Sequence, residues 1–190
     1  MAGKVLGTAA AVLLAGAAGA QDFSEGSEAD SWGLLGEELA RFEATVVDVL
    51  CEITGDCAEA CGGGARQVGL LRSSDGILVL PMKNGQPVFS GAVADLAPYS
   101  GETVEVDGLL VGEPEASDAK FYMVQTIRRL DEDEASKADR FTKAWEEAHP
   151  DAAGEGPWFR RDPDIAAQIE AEGYLGLGQE VDEAFIAEWF

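Results

Sequence analysis

The chain has 190 residues, with 36 acids against 13 lysines and arginines and a single histidine, giving a net charge of −23. Such a surface repels polyanions, which argues against nucleic acid and anionic lipid as partners and favours basic partners or solvation in salty water. With one histidine, Ser-His-Asp or Cys-His catalysis would have to pass through His149, and no nucleophile elbow lies near it.

Residues 1–20, MAGKVLGTAAAVLLAGAAGA, read as an export signal: Lys4, an apolar stretch from Val5 to Ala15, then Ala18-Gly19-Ala20 as a small-x-small cleavage site. A membrane anchor is the competing reading, but it needs roughly 20 apolar residues, and this segment is shorter and runs straight into polar QDFSEGSEADS. Cleavage before Gln21 removes Lys4 and no acid, leaving 170 residues at −24. A compact, alanine-rich leader points to the periplasm, with no membrane insertion after cleavage. Residues 21–31 form an acidic, serine-bearing linker expected to be mobile. A barrel domain over 32–131 and a helical extension over 132–190 follow.

Order begins near Trp32, with a short helical turn over Leu34–Ala40. RFEATVVDVL then alternates Phe42, Ala44 and Val46 against Glu43, Thr45 and Val47, the period of a strand rich in β-branched residues. Gln67–Leu71 and Ile77–Met82 flank Ser73-Ser74-Asp75-Gly76, whose Asp-Gly pair marks a hairpin. Ala92–Tyr99 is helical, and Thr103–Val111 and Lys120–Leu130 are strands joined by the loop at 114–118. One strand, a hairpin, a helix and two more strands is the element order of a five-stranded OB barrel with a helix between strands three and four. An open α+β sandwich is the alternative.

Cys51, Cys57 and Cys61 fall within eleven residues. In an oxidising compartment such spacing forms a disulfide or is kept for a metal. Three cysteines and a distant His149 fall short of the four ligands of a structural zinc site, and Cys-x3-Cys in a glycine-rich loop fits poorly with the Cys-x-x-Cys of redox catalysts. The expectation is therefore no metal and no cofactor. One disulfide is expected, Cys57–Cys61 with Cys51–Cys61 as the alternative, leaving one thiol. Gly62-Gly63-Gly64 lacks the Lys-Ser/Thr of a phosphate loop.

The stretch VVDVLCEITGDCAEACGGGARQVGLLRSSDGILVL with PYSGETVEVDGLLVG resembles exported bacterial OB-fold proteins of unknown function. The matching positions are Cys51, Cys57 and Cys61, then Gly69-Leu70-Leu71, then Val104, Val106 and Gly108. The resemblance spans about residues 42–130. It implies the barrel, is nearly silent on activity, and implies a further cysteine where this chain has Ser100.

Beyond the acidic run 131–134, a helix is expected from Ser136 to His149, with Ala138, Phe141, Trp145 and Ala148 on one face and Pro150 as its stop. Gly156-Pro157-Trp158-Phe159-Arg160-Arg161 is a turn. Asp162-Pro163 supplies an N-cap and first-turn proline for a helix to Gly173. A last helix places Val181, Phe185 and Trp189 on one stripe. Helices this short are not stable alone in water, so the aromatics must wrap their own barrel or meet another protein. The stripes of Phe141/Trp145 and Phe185/Trp189 are expected on the barrel, with Trp158, Phe159, Arg160 and Arg161 as the partner contact. Two functions of different class follow: a non-enzymatic accessory module docking on another periplasmic protein, or a thiol-redox or metal-handling factor using the three cysteines. OB barrels often bind oligonucleotides, but the charge of this chain opposes that use.

Overall fold

A computed structural model describes residues 22–33, 36–83, 91–112, 120–152 and 154–189. Its elements are β1 (Glu37–Asp48), α1 (Val49–Thr54), the kinked turn α2 (Ala60–Gly63), β2 (Val68–Arg72), β3 (Leu78–Met82), α3 (Gly91–Leu96), β4 (Thr103–Val111), β5 (Lys120–Arg129), β6 (Ser136–Lys137), α4 (Arg140–Ala148), α5 (Pro163–Glu172) and α6 (Gln179–Trp189). The leader lies outside the described residues.

The first five strands close into a mixed barrel. β1 pairs antiparallel with β4 along its whole first part, from Glu37↔Val111 to Thr45↔Thr103, and with β2 at its end, from Ala44↔Arg72 to Asp48↔Val68. β2 pairs with β3, and β4 with β5. The seam is a parallel pairing of β3 with β5, Val79↔Lys120 to Met82↔Met123. β6 adds a two-residue edge to β5. The helical turn expected over 34–40 is overturned from Glu37 onward, because the β4 ladder extends to that residue and buries Ala40 completely. Local propensity yields there to cross-strand pairing.

Strand alternation fills the interior: Phe42, Ala44 and Val46 from β1, Val68 and Leu70 from β2, Val79 from β3, Val104 and Val106 from β4, and Tyr122, Val124 and Ile127 from β5. Ala92, Leu96 and Tyr99, from α3 and the 3₁₀ turn Ala97–Tyr99 behind it, join the same cluster and plug one end. Tyr122 is fully buried and donates its hydroxyl to the carbonyl of Ala40 at 2.8 Å. Burial, with the charges of Asp107 and Glu105 nearby, pushes its phenol well above the usual value. The hairpin turns at Gly76 (φ 69°), where the Asp75 carboxylate takes the Ile77 N–H at 3.1 Å and the Arg72 guanidinium at 2.9 Å.

The segment expected to be a mobile linker is instead a strap against the barrel wall. The Arg41 N–H donates to the Phe23 carbonyl at 2.8 Å. Asp107 accepts the Ser27 hydroxyl at 2.6 Å and the Glu28 N–H at 2.7 Å, and Gln125 exchanges two bonds with the Asp30 backbone. Phe23 sits edge-on to Phe42 at 5.6 Å with the Arg72 guanidinium 4.1 Å from its ring centroid. Composition alone suggests disorder; one aromatic and a buried outward-facing aspartate supply the anchoring. Asp107, a solvated position by strand alternation, is buried beneath this strap.

The helix expected from Ser136 starts only at Arg140, because Ser136 and Lys137 pair with Ile127 and Thr126 first. Its end at Ala148 and the 3₁₀ turn Pro150–Ala152 agree with a proline stop.

Candidate functional site

Asp48 ends β1 and caps α1, accepting the N–H groups of Leu50 at 2.9 Å and Cys51 at 3.3 Å. Gly55, at φ 78°, reverses the chain and returns its N–H to the Cys51 carbonyl at 2.9 Å. That reversal brings Cys57 back onto Cys51, and the two form the disulfide. The expected Cys57–Cys61 bridge is thus corrected, and so is its alternative. Past Cys57 the chain passes through the left-handed Ala60 (φ 49°) and Cys61 (φ 50°), and the Cys61 side chain lies in the core. There its sulfur touches the hydroxyl of Ser100, the position at which the resemblance implied another cysteine. Arg66 holds the loop from outside, reaching Asp48 Oδ2 at 3.1 Å and the Asp56 carbonyl at 2.6 Å. Burial works against the Asp48 charge, but the bonds from Cys51, Arg66 and Leu50 outweigh it and hold the carboxyl below its usual range. The result is a stapled cap with a buried thiol.

The aromatic turn is joined to α4. Trp145 is buried and donates its indole N–H to Asp162 Oδ2 at 2.8 Å, while Asp162 also caps α5 through Asp164 and Ile165. The Ile165 N–H and the Trp145 indole hold the Asp162 carboxyl below its usual range against burial. Trp158 lies 5.1 Å from Phe141 and 5.7 Å from Trp145. His149 stacks on Trp145 at 4.6 Å and donates Nδ1–H to its carbonyl at 2.9 Å. Arg161, with a side chain 13% exposed, bonds Glu146 at 2.7 Å and the Ala152 carbonyl at 3.0 Å. Of the four residues expected at a partner contact, Trp158 and Phe159 are half-buried, Arg161 is engaged within the chain, and Arg160 is exposed.

A cleft of about 450 Å³ opens between the strap, β5 and α4, with Trp32, Phe141 and Trp158 among its walls. Its floor holds Asp95, fully buried on α3, which accepts the Arg140 N–H at 2.8 Å and pairs with the Lys83 ammonium at 3.3 Å. Lys83 also donates to the carbonyls of Val124, at 3.1 Å, and Ala138. Sequence reasoning misses this pair. Its signal is there all the same: a lone acid inside the apolar run GAVADLAPY, and a lone cation at the end of LVLPMK.

The last two helices overturn the expectation that Phe185 and Trp189 lie on the barrel. α6 packs chiefly on α5. Phe185 and Trp189 stack on each other at 6.1 Å and are 40% and 66% exposed. The turn before α6 adds Tyr174 and Leu177, 78% and 68% exposed. Asp182 is buried and accepts the N–H groups of Tyr174 and Leu175, which fixes this turn, and the Gln179 amide closes the end of α5 at the carbonyls of Ile169 and Glu170. An apolar stripe is therefore presented on a built scaffold. Residues 162–190 also carry eight acids and no lysine, arginine or histidine.

Among the described residues, no group of three or more His, Cys, Asp or Glu is placed to hold a metal ion, and no helix is long and apolar enough to cross a membrane. Compared with protein-family models, curated proteins and solved structures, the chain has no match.

Proposed function

We propose that the protein is a non-enzymatic accessory module, exported to the periplasm through its leader, that docks on another exported protein. The observation that carries this reading is the exposed stripe of Val181, Phe185 and Trp189 with Tyr174 and Leu177 beside it. Aromatic and aliphatic side chains at i, i+4 and i+8 suit a helix laid in an apolar groove, and each aromatic buried there contributes roughly 1.5–3 kcal/mol. Six exposed acids on the same two helices, Asp164, Glu170, Glu172, Glu180, Glu183 and Glu188, select a groove rimmed by lysine and arginine. They disfavour an anionic bilayer, which attracts basic amphipathic helices. A second copy of the chain brings the same acids and is disfavoured too. The contact thus moves from the 158–161 turn to the α5–α6 pair.

The barrel is proposed to be OB-like. Its circular order β1-β2-β3-β5-β4, with α3 between β3 and β4, supports that label together with the cysteine-loop resemblance. The thiol-handling reading has less support, since Cys51 and Cys57 are joined and Cys61 is buried. The test compares wild type with the Phe185→Ser/Trp189→Ser double variant as bait in periplasmic extract. A component held by wild type, released by salt and lost from a double variant of unchanged melting temperature supports the reading. Equal retention by both baits, or unfolding of the double variant, counts against it.

A further inference from the structure

We infer that the exported chain is modified at its new N-terminus, where Gln21 closes on itself to pyroglutamate and so shields the strap from exopeptidases. The inference rests on the proposed cleavage after Ala20, which makes Gln21 the first residue. Glutamine in that place carries a nucleophile and an electrophile in one residue. The α-nitrogen attacks the side-chain amide carbon Cδ and an N–Cδ bond forms in a five-membered lactam. The Cδ–Nε2 bond breaks, and Nε2 leaves as ammonia with the proton given up by the amine. No oxidant, metal or second reactant takes part. An α-amine titrates near 8, so a fraction of it is unprotonated and nucleophilic at neutral pH. Alanine or serine in the same place has no such carbon to attack.

The fold gives this cap something to preserve. Asp22, the next residue, already belongs to the strap: it is exposed, and its carboxylate takes the Ser24 N–H at 2.9 Å and the Ser24 hydroxyl at 2.7 Å. One position further, Phe23 is the anchor, with its carbonyl on the Arg41 N–H at 2.8 Å and its ring against Phe42 and the Arg72 guanidinium. The Gly26 carbonyl accepts from the Arg41 guanidinium at 2.9 Å, and Ala29 packs on Met82, Leu109 and Met123. An aminopeptidase that removes Gln21 and Asp22 therefore arrives at the anchor itself. Trimming beyond it frees the bonds of Ser27 and Glu28 and uncovers the buried carboxylate of Asp107, and a buried charge stripped of its partners is costly. Aminopeptidases hold their substrates by a free α-amine, which the lactam lacks.

The test is intact-mass and N-terminal peptide analysis of the full chain, expressed with its leader and recovered from the periplasmic fraction. The expected species begins at Gln21 and is lighter by one ammonia, and pyroglutamyl aminopeptidase should release that residue and leave a free amine at Asp22. A general aminopeptidase should then trim the uncapped protein into the strap and lower its Tm, while the capped protein keeps both its mass and its Tm. Gln21→Ala, which leaves every strap contact in place, should be trimmed without prior uncapping. Gln21 still bearing a free amine after prolonged warm incubation would overturn the inference and leave the export reading standing. Equal resistance of capped and uncapped chains would also overturn it. A retained leader, or a start at another residue, would overturn the inference together with the export reading.

Discussion

Gly108 closes the Val-x-Val-x-Gly run on β4 and sits at the irregular step in register between Asp107 and Gly108. A Cβ added there would lie 2.1 Å from the Met123 carbonyl oxygen, 3.1 Å from its carbon and 3.2 Å from Tyr122 Cζ. An ordinary carbon–oxygen contact is about 3.3 Å or more, so β4 and β5 would have to part by about 1 Å. Neither neighbour can yield cheaply. The Met123 oxygen is backbone within the barrel, and Tyr122 is fully buried with its hydroxyl on Ala40. Overpacking a core costs about 1–3 kcal/mol when side chains can adjust; against a fixed carbonyl, Gly108→Ala should cost about 3 kcal/mol or more. For a domain of this size that lowers Tm by about 6–12 °C. Gly69→Ala is the control, because its Cβ would meet side chains and no backbone, Leu78 at 2.8 Å, Val49 at 2.9 Å and Val47 at 3.6 Å. Its cost should be about 1 kcal/mol. Urea unfolding followed by circular dichroism measures both. A Gly108→Ala protein within 1 kcal/mol of wild type, or less affected than Gly69→Ala, would refute the close β4–β5 approach.

Ser100→Cys should oxidise to a second disulfide with Cys61, whose sulfur touches the Ser100 hydroxyl; closing that loop removes about 4 kcal/mol of unfolded-chain entropy, read as a higher Tm and, in a non-reducing map, a peptide pair joining Cys61 to the introduced sulfur. Arg161→Ala should cost about 1–2 kcal/mol through lost bonds to Glu146 and the Ala152 carbonyl and lost cover over Trp145, while Arg160→Ala, on an exposed side chain, should stay within about 0.5 kcal/mol by the same urea assay. Burial raises the Glu105 carboxyl, but the bonds from Arg41 and Arg128 outweigh it and hold the group below its usual range, and the Arg72 guanidinium does the same for Asp75. Stability from such groups is present above their unfolded values near 4 and is lost as pH falls through the lower folded values. The Tm should therefore drop below about pH 4, and Glu105→Gln should lower Tm at pH 7 and shrink the difference between pH 7 and pH 3.

The barrel is legible where local chemistry and global packing agree. β-branched alternation marks β1, Asp75-Gly76 marks the hairpin, and the bounds of β4 come out residue for residue. The strap is not legible, because its order comes from Asp107 and Gln125, far along the chain, and from one phenylalanine under Arg72. Disulfide pairing escapes for a related reason. Spacing counts residues, whereas the pairing depends on the backbone between the cysteines, Gly55 turning Cys57 back onto α1 and the left-handed Ala60 and Cys61 turning the third sulfur inward. The C-terminal stripe is legible as a periodicity, but the recurrence of Val181, Phe185 and Trp189 every four residues says only that the helix has an apolar face. It does not say whether the cover is the barrel or another molecule.

Site-specific photo-crosslinking from α6 tests the docking claim most directly. With p-benzoylphenylalanine in place of Ile186, which is exposed beside Phe185 and Trp189, irradiation of intact cells should give one dominant adduct with a basic exported protein. The same probe in place of Arg160 should give little of it. Adducts of α6 with a second copy of the chain alone, or a partner captured from position 160 and not from 186, would contradict the account.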